Sequence, residues 1–126
     1  MNHLWDTHAL IFGMDNDPEL PPKAVSVAKG GQNAVSCISL WEVSLLVHKG
    51  KVKLALPVED WLEEVSHRMT IMPITPAIAA AAYDLGEFHG DPADRIIAAT
   101  SLIYPSTIIT RDEKLSKHPR LRCLWD

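Results

Sequence analysis

Short apolar, strand-type runs alternate along this chain with longer segments in which apolar residues recur at helical spacing. The strand-type runs are His3 to Trp5, Ala34 to Cys37, Ile71 to Ile74, Thr107 to Ile109 and Arg122 to Trp125. Between them, Lys23 to Lys29, Leu40 to His48, Val58 to Met69, Ala77 to Phe88 and Ala93 to Ile103 carry apolar residues at helical spacing or strong helix formers. Alternation of this kind predicts a parallel sheet with helices packed on its faces. Gly30-Gly31, Gly50 and the proline-bearing stretches 18–22 and 73–76 read as caps and turns rather than as a linker. No repeat interrupts the pattern, and the alanine cluster Ala79 to Ala82 falls inside a helical segment.

Length and composition narrow the picture. A chain of 126 residues is long enough for one core and too short for two ordinary domains, so residues 1–126 are expected to form a single domain. With 47% hydrophobic and 22% charged residues, and a mean hydropathy of +0.01, it reads as a soluble globular protein. Cys37 and Cys123 are expected to be free thiols, and none of the six histidines stands at zinc-ligand spacing from either. The first residues lack a basic leader and no apolar run reaches membrane-span length, which predicts a cytoplasmic protein. A net charge of -4 argues against a protein that coats nucleic acid. It leaves room for an enzyme that meets phosphate through a bound metal.

The acids carry the chemistry. Asp6 closes the first strand, Asp112 follows the fourth, Glu42 lies one turn into the helix after the second, and Asp91 and Asp94 open the helix of 93–103. In an open α/β sheet the carboxyl ends of strands and the helix starts after them share the edge where ligands bind. Each acid also has a structural reading. Ser39-Leu40-Trp41-Glu42 has the form of a capping box, Asp91 before Pro92 is a natural N-cap, and Asp6 and Asp112 can cap the helices that follow them. Taken together they are harder to explain as caps. Carboxylates within about 4 to 6 Å of one another raise each other's pKa and need cations among them. Oxygen-only ligands favour Mg²⁺ or Mn²⁺, and such ions activate water for attack on phosphodiesters.

Four ordered stretches then resemble a known family. Leu4-Trp5-Asp6-Thr7-His8-Ala9-Leu10, Ser36-Cys37-Ile38-Ser39-Leu40-Trp41-Glu42-Val43, His89-Gly90-Asp91-Pro92-Ala93-Asp94-Arg95-Ile96-Ile97-Ala98-Ala99 and Thr110-Arg111-Asp112 are similar to the successive motifs of bacterial VapC-like PIN domains. Gly50 to Leu54 and Trp125 agree as well, so the resemblance covers essentially the whole chain. It implies a three-layer α/β/α sandwich around a five-stranded parallel sheet, a Mg²⁺ or Mn²⁺ site, and endoribonuclease activity as the toxin of a toxin–antitoxin pair. It also implies a cognate VapB-like antitoxin and a homodimer. The family's catalytic quartet falls on Asp6, Glu42, Asp94 and Asp112, with Asp6, Asp94 and Asp112 as metal ligands, directly or through water, and Glu42 holding the water. Thr7, Ser39 and Thr110 are the implied polar groups that orient the carboxylates, and Asp91 is expected to be a helix cap. The sequence departs from the family at His3 and Trp5, where aliphatics are commoner, and at Phe12-Gly13, where a tryptophan is common; these departures bear on local packing.

Other features are weighed against plainer roles. His8 and His89, beside acidic motifs, are expected to pack or face solvent rather than shuttle protons. Arg95 is expected in a salt bridge rather than on RNA phosphate. Lys49, Lys51 and Lys53, with Arg111 and Lys114, are candidates for a positive rim steering RNA. The segment 57–69, with Trp61 and Leu62 among charges, is a candidate cover for a groove where an antitoxin helix docks. A receiver-like phosphotransfer domain would need adjacent acids after the first strand and a lysine after the last, and neither is present. A non-catalytic RNA- or protein-binding module is the alternative to an enzyme; loss of one of the four acids would be its sign, and all four are intact.

Overall fold

The computed structural model of the chain describes residues 2–88 and 90–126. Its elements, in chain order, are β1 (His3–Trp5), α1 (Thr7–Met14), α2 (Pro22–Lys29), β2 (Asn33–Ser36), α3 (Cys37–His48), α4 (Val58–Arg68), β3 (Thr70–Met72), α5 (Pro76–Ala81), α6 (Pro92–Ile103), β4 (Thr107–Ile109), α7 (Glu113–Ser116) and β5 (Cys123–Leu124). The five strands form one sheet in the order β3-β2-β1-β4-β5, with every pairing parallel.

The register explains the layers. Trp5 stands opposite Val35 and Ile109, and Leu4 opposite Ala34 and Ile108. Successive side chains of a strand point to opposite faces, so these two rows feed two cores. Trp5, Val35 and Ile109 pack with Ala9, Leu10, Val43, Trp61 and Val65 from α1, α3 and α4. Leu4, Ala34 and Ile108 pack with Phe88, Ile97, Ala98 and Leu115 on the other face. Both faces are therefore covered by helices, which is why the strands read as unbroken apolar runs.

Trp5 is fully buried. Its indole N–H donates to Asn33 Oδ1 at 2.9 Å, and a Cβ built on Gly13 would stand 3.0 Å from the ring. The unusual tryptophan in β1 and the Phe12-Gly13 pair are thus one adjustment, in which the glycine leaves room for the ring.

Several boundaries differ from expectation. The helices anticipated after Asp6 and Asp112 are α1 and α7, whose ranges the apolar pattern does not mark; Thr7–Met14 is buried on nearly every side, with no polar stripe to reveal it. Helix α3 begins at Cys37 rather than Leu40, capped by Ser36, whose Oγ accepts the Ile38 N–H at 3.2 Å. The expected capping box from Ser39 to Glu42 is therefore not formed. The segment expected as a helix over 77–88 is helical only over Pro76–Ala81, and beyond it Gly86 takes a left-handed φ of 71°. Trp61, expected beside a surface groove, is a core residue whose indole N–H donates to Asp15 Oδ1 at 2.8 Å.

Candidate active site

The strand order reverses between β1 and β4: the chain runs outward through β1, β2 and β3 on one side, then through β4 and β5 on the other. The crevice outside the carboxyl ends of two such strands is where open α/β sheets bind ligands. Asp6 leaves β1 there, and its N–H donates to Ile109 O of β4 at 3.1 Å. Thr110 and Asp112 follow β4. A cavity of about 450 Å³ opens at this point, lined by Asp6, Glu42, Asp91, Asp94 and Asp112.

Three of these acids are also helix caps. Asp6 Oδ1 accepts from Ala9 N at 2.8 Å, Asp91 Oδ1 from Asp94 N at 2.9 Å, and Asp112 Oδ1 from Lys114 N at 2.8 Å. Capping engages one carboxylate oxygen and so coexists with lining the cavity. Asp6 Oδ2 accepts a short hydrogen bond from the Thr110 hydroxyl, which in turn accepts the Asp112 N–H at 2.9 Å. Thr110 thereby joins the first and last acids. Thr7, which also lines the cavity, donates to the buried Ser39 hydroxyl at 3.0 Å, a contact that fixes α1 against α3. Among the described residues, no hydrogen bond or ion pair engages the carboxylates of Glu42 or Asp94, so both are available to a ligand.

The electrostatics show that the acids sense one another. Burial pushes the Asp94 carboxyl up from 3.8 to about 7, and the neighbouring Asp91, Asp112, Glu42 and Asp6 push in the same direction. Asp6 is also raised, first by burial, against the lowering effect of its bonds from Thr110 and Ala9. Such a set of hard oxygen donors, costly to ionise together, fits a divalent cation. Among the described residues, no three His, Cys, Asp or Glu side chains stand close enough to form a ready-made cage.

The remaining candidates separate by position. His8 lines the cavity and is exposed, and His89 lies outside the described residues. Arg111 and Lys114 line the cavity with the acids, whereas Lys49, Lys51 and Lys53 do not. Among the described residues, Arg95 forms no salt bridge. Its guanidinium donates to Phe88 O at 2.8 Å and Ala82 O at 3.3 Å and stacks near Tyr83 and Phe88, strapping the segment that leads to Asp91. The buried His118, at 2.7 Å from Leu85 O, and Arg120, donating to Asp84 O, hold the same segment. Bonds to backbone carbonyls leave no mark in a sequence, and neither His118 nor Arg120 stood out there. Cys37 and Cys123 are free thiols, and burial raises Cys123 to about 11.

A parallel five-stranded sheet with helices on both faces and acids gathered at its switch point defines the class. The chain matches the PIN domain over residues 4–121 and belongs to that family. It is VapC-like: Ribonuclease VapC22 of Mycobacterium tuberculosis (strain ATCC 25618 / H37Rv) is 34% identical over 127 residues, covering 97% of each chain. Solved structures that share the fold include VapBC complexes from Rickettsia felis, Salmonella typhimurium and nontypeable Haemophilus influenzae. VapBC2 from Rickettsia felis, bound to a DNA fragment from their promoter, matches with a TM-score of 0.73 at 21% identity, covering 100% of both chains. A toxin–antitoxin complex from Klebsiella pneumoniae matches with a TM-score of 0.71 at 24% identity, covering 95% of both chains.

Proposed function

We propose that this PIN domain is a Mg²⁺- or Mn²⁺-dependent endoribonuclease and the toxin of a toxin–antitoxin pair. The observation that carries the reading is the gathering of Asp6, Glu42, Asp94 and Asp112 from four separate stretches of chain into one cavity, where burial and then the neighbouring acids push the Asp94 carboxyl up to about 7. The 34% identity to a ribonuclease across the whole chain supports it.

In this reading Asp94, Asp112 and Asp6 hold the ion, directly or through water, and Asp91 remains the cap of α6. When bound, the ion supplies positive charge to the phosphate oxygens and acidifies a water. Glu42, unencumbered by the helix backbone, would hold and polarise the attacking water. Thr110 keeps Asp6 and Asp112 in register, while Thr7 and Ser39 fix the two helices that carry Asp6 and Glu42. The proposed partners are RNA as substrate, a VapB-like antitoxin, as in the VapBC complexes that share the fold, and a second copy of the chain. No helix among the described residues is long and apolar enough to cross a membrane.

The test is cleavage of end-labelled structured and unstructured RNAs by antitoxin-free protein in Mg²⁺, Mn²⁺ or EDTA, beside an Asp94→Asn variant. Cleavage that requires metal and disappears in the variant is the expected result. Absence of cleavage in every metal, together with no heat of metal binding by calorimetry, overturns the reading in favour of a non-catalytic binding module.

A further inference from the structure

A cavity lined by five carboxyl groups is unfavourable for a phosphodiester, and cationic side chains in the same lining offset that charge. Two lysine or arginine side chains share the lining, Arg111 and Lys114. Arg111 has the better geometry. Its backbone is fixed on both sides, by Thr110 N–H on Leu124 O at 3.1 Å and by Asp112 N–H on Thr110 Oγ1 at 2.9 Å. Its guanidinium lies over the Phe12 ring, 4.7 Å from the centroid, and Phe12 leans in turn on Trp125. Arg111 also lines a second cavity, with Ser116, Leu124 and Trp125, and so borders both that cavity and the one that holds the acids.

Among the described residues, most donors of this guanidinium have no partner. Of five N–H groups, one reaches Glu19 Oε2 at 3.3 Å, in an ion pair whose side chains are 52% and 63% exposed. An exposed pair of this kind is worth little. Arg95, the other arginine next to a motif acid, has its donors on backbone carbonyls and rings on both sides. The two arginines are thus sorted by their partners into one internal strap and one available donor fork.

We propose that Arg111 is a substrate-binding residue. It takes a backbone phosphate of single-stranded RNA next to the scissile one, and it exchanges Glu19 for the phosphate while Phe12 keeps the guanidinium in place. Arginine suits this role because its planar fork matches two phosphate oxygens. The proposal rests on the nuclease reading and deepens it.

The experiment is steady-state cleavage of a single-stranded RNA in Mg²⁺ at several salt concentrations, with Arg111→Gln, Arg111→Lys and Glu19→Gln, each checked for melting temperature. Arg111→Gln is expected to raise KM about tenfold or more, the loss of a charge-assisted bond, with kcat changed by less than about threefold. Its KM also loses salt dependence, the slope falling by about 0.7 as for one phosphate contact on a single strand. Arg111→Lys restores the slope. Glu19→Gln lowers KM, by up to about fivefold for release of an exposed pair. Arg111→Gln with unchanged KM and slope overturns the proposal. So does a matched fall in melting temperature and rise in KM for Arg111→Gln and Glu19→Gln, the mark of a merely structural ion pair. No cleavage by the unaltered protein removes the nuclease reading itself, and this proposal with it.

Discussion

The Thr110 hydroxyl serves two acids at once, donating to Asp6 Oδ2 and accepting from Asp112 N–H. Thr110→Val keeps the shape and removes both bonds, leaving a buried carboxylate oxygen without its donor. The expected loss is about 1 to 3 kcal/mol in urea denaturation, with a fall in metal-dependent cleavage, and Thr110→Ser should retain most of both. Asp94 supplies a pH signature. Its folded-state value near 7 lies above the ordinary 3.8, so between those limits the folded protein keeps a proton that the unfolded chain releases. Stability from this group is complete below about pH 4 and is lost as pH rises through about 7. In EDTA, Asp94→Asn should therefore become more stable relative to the unaltered protein as pH rises from about 5 to 8, when the two are compared by urea denaturation at each pH. A constant difference across that range would mean that the carboxyl is not strained in the fold.

Helix α6 shows how one acid can be mistaken for another. Asp91 caps it and lines the cavity, while the Asp94 N–H is the donor that the cap satisfies. Asp91→Ser preserves a capping oxygen but removes a negative charge that raises Asp94. Cleavage should persist, and the acid limb of its pH profile should move to lower pH; loss as complete as that of Asp94→Asn would make Asp91 a ligand. The cap was legible in the sequence, as were the five strands and most helix centres, because Asp-Pro and apolar runs act locally. What stayed hidden depends on the tertiary surroundings. Helix α1 has no polar face to announce it, and α3 starts three residues early because Ser36 caps it in place of Ser39. That shift frees Glu42 from the backbone bond a capping box would impose. The stretch after α5 gave no sign that Arg95, His118 and Arg120 bind its carbonyls.

At the scale of the molecule, the site exists only when the sheet does. Asp6 and Asp112 cap α1 and α7 while Glu42 and Asp94 lie within α3 and α6, and these elements meet only because β1 and β4 pair and both faces of the sheet are packed. An unfolded chain scatters these acids, so a divalent ion that binds them favours the folded state alone. Stabilisation then follows RT ln(1 + [L]/Kd), about 2.7 kcal/mol at a hundredfold excess over Kd. The ion must also displace the proton that Asp94 retains below about 7, so its stabilising effect should grow as pH rises toward neutrality and level off above it. Melting temperatures measured with Mg²⁺, with Mn²⁺ and in EDTA from about pH 5 to 8 should diverge as pH increases. In Asp94→Asn the curves should lie close together at every pH. Divergence that is equal at all pH values would separate metal binding from Asp94 and move the ion toward Asp6 and Asp112, where Thr110 already holds the two acids together.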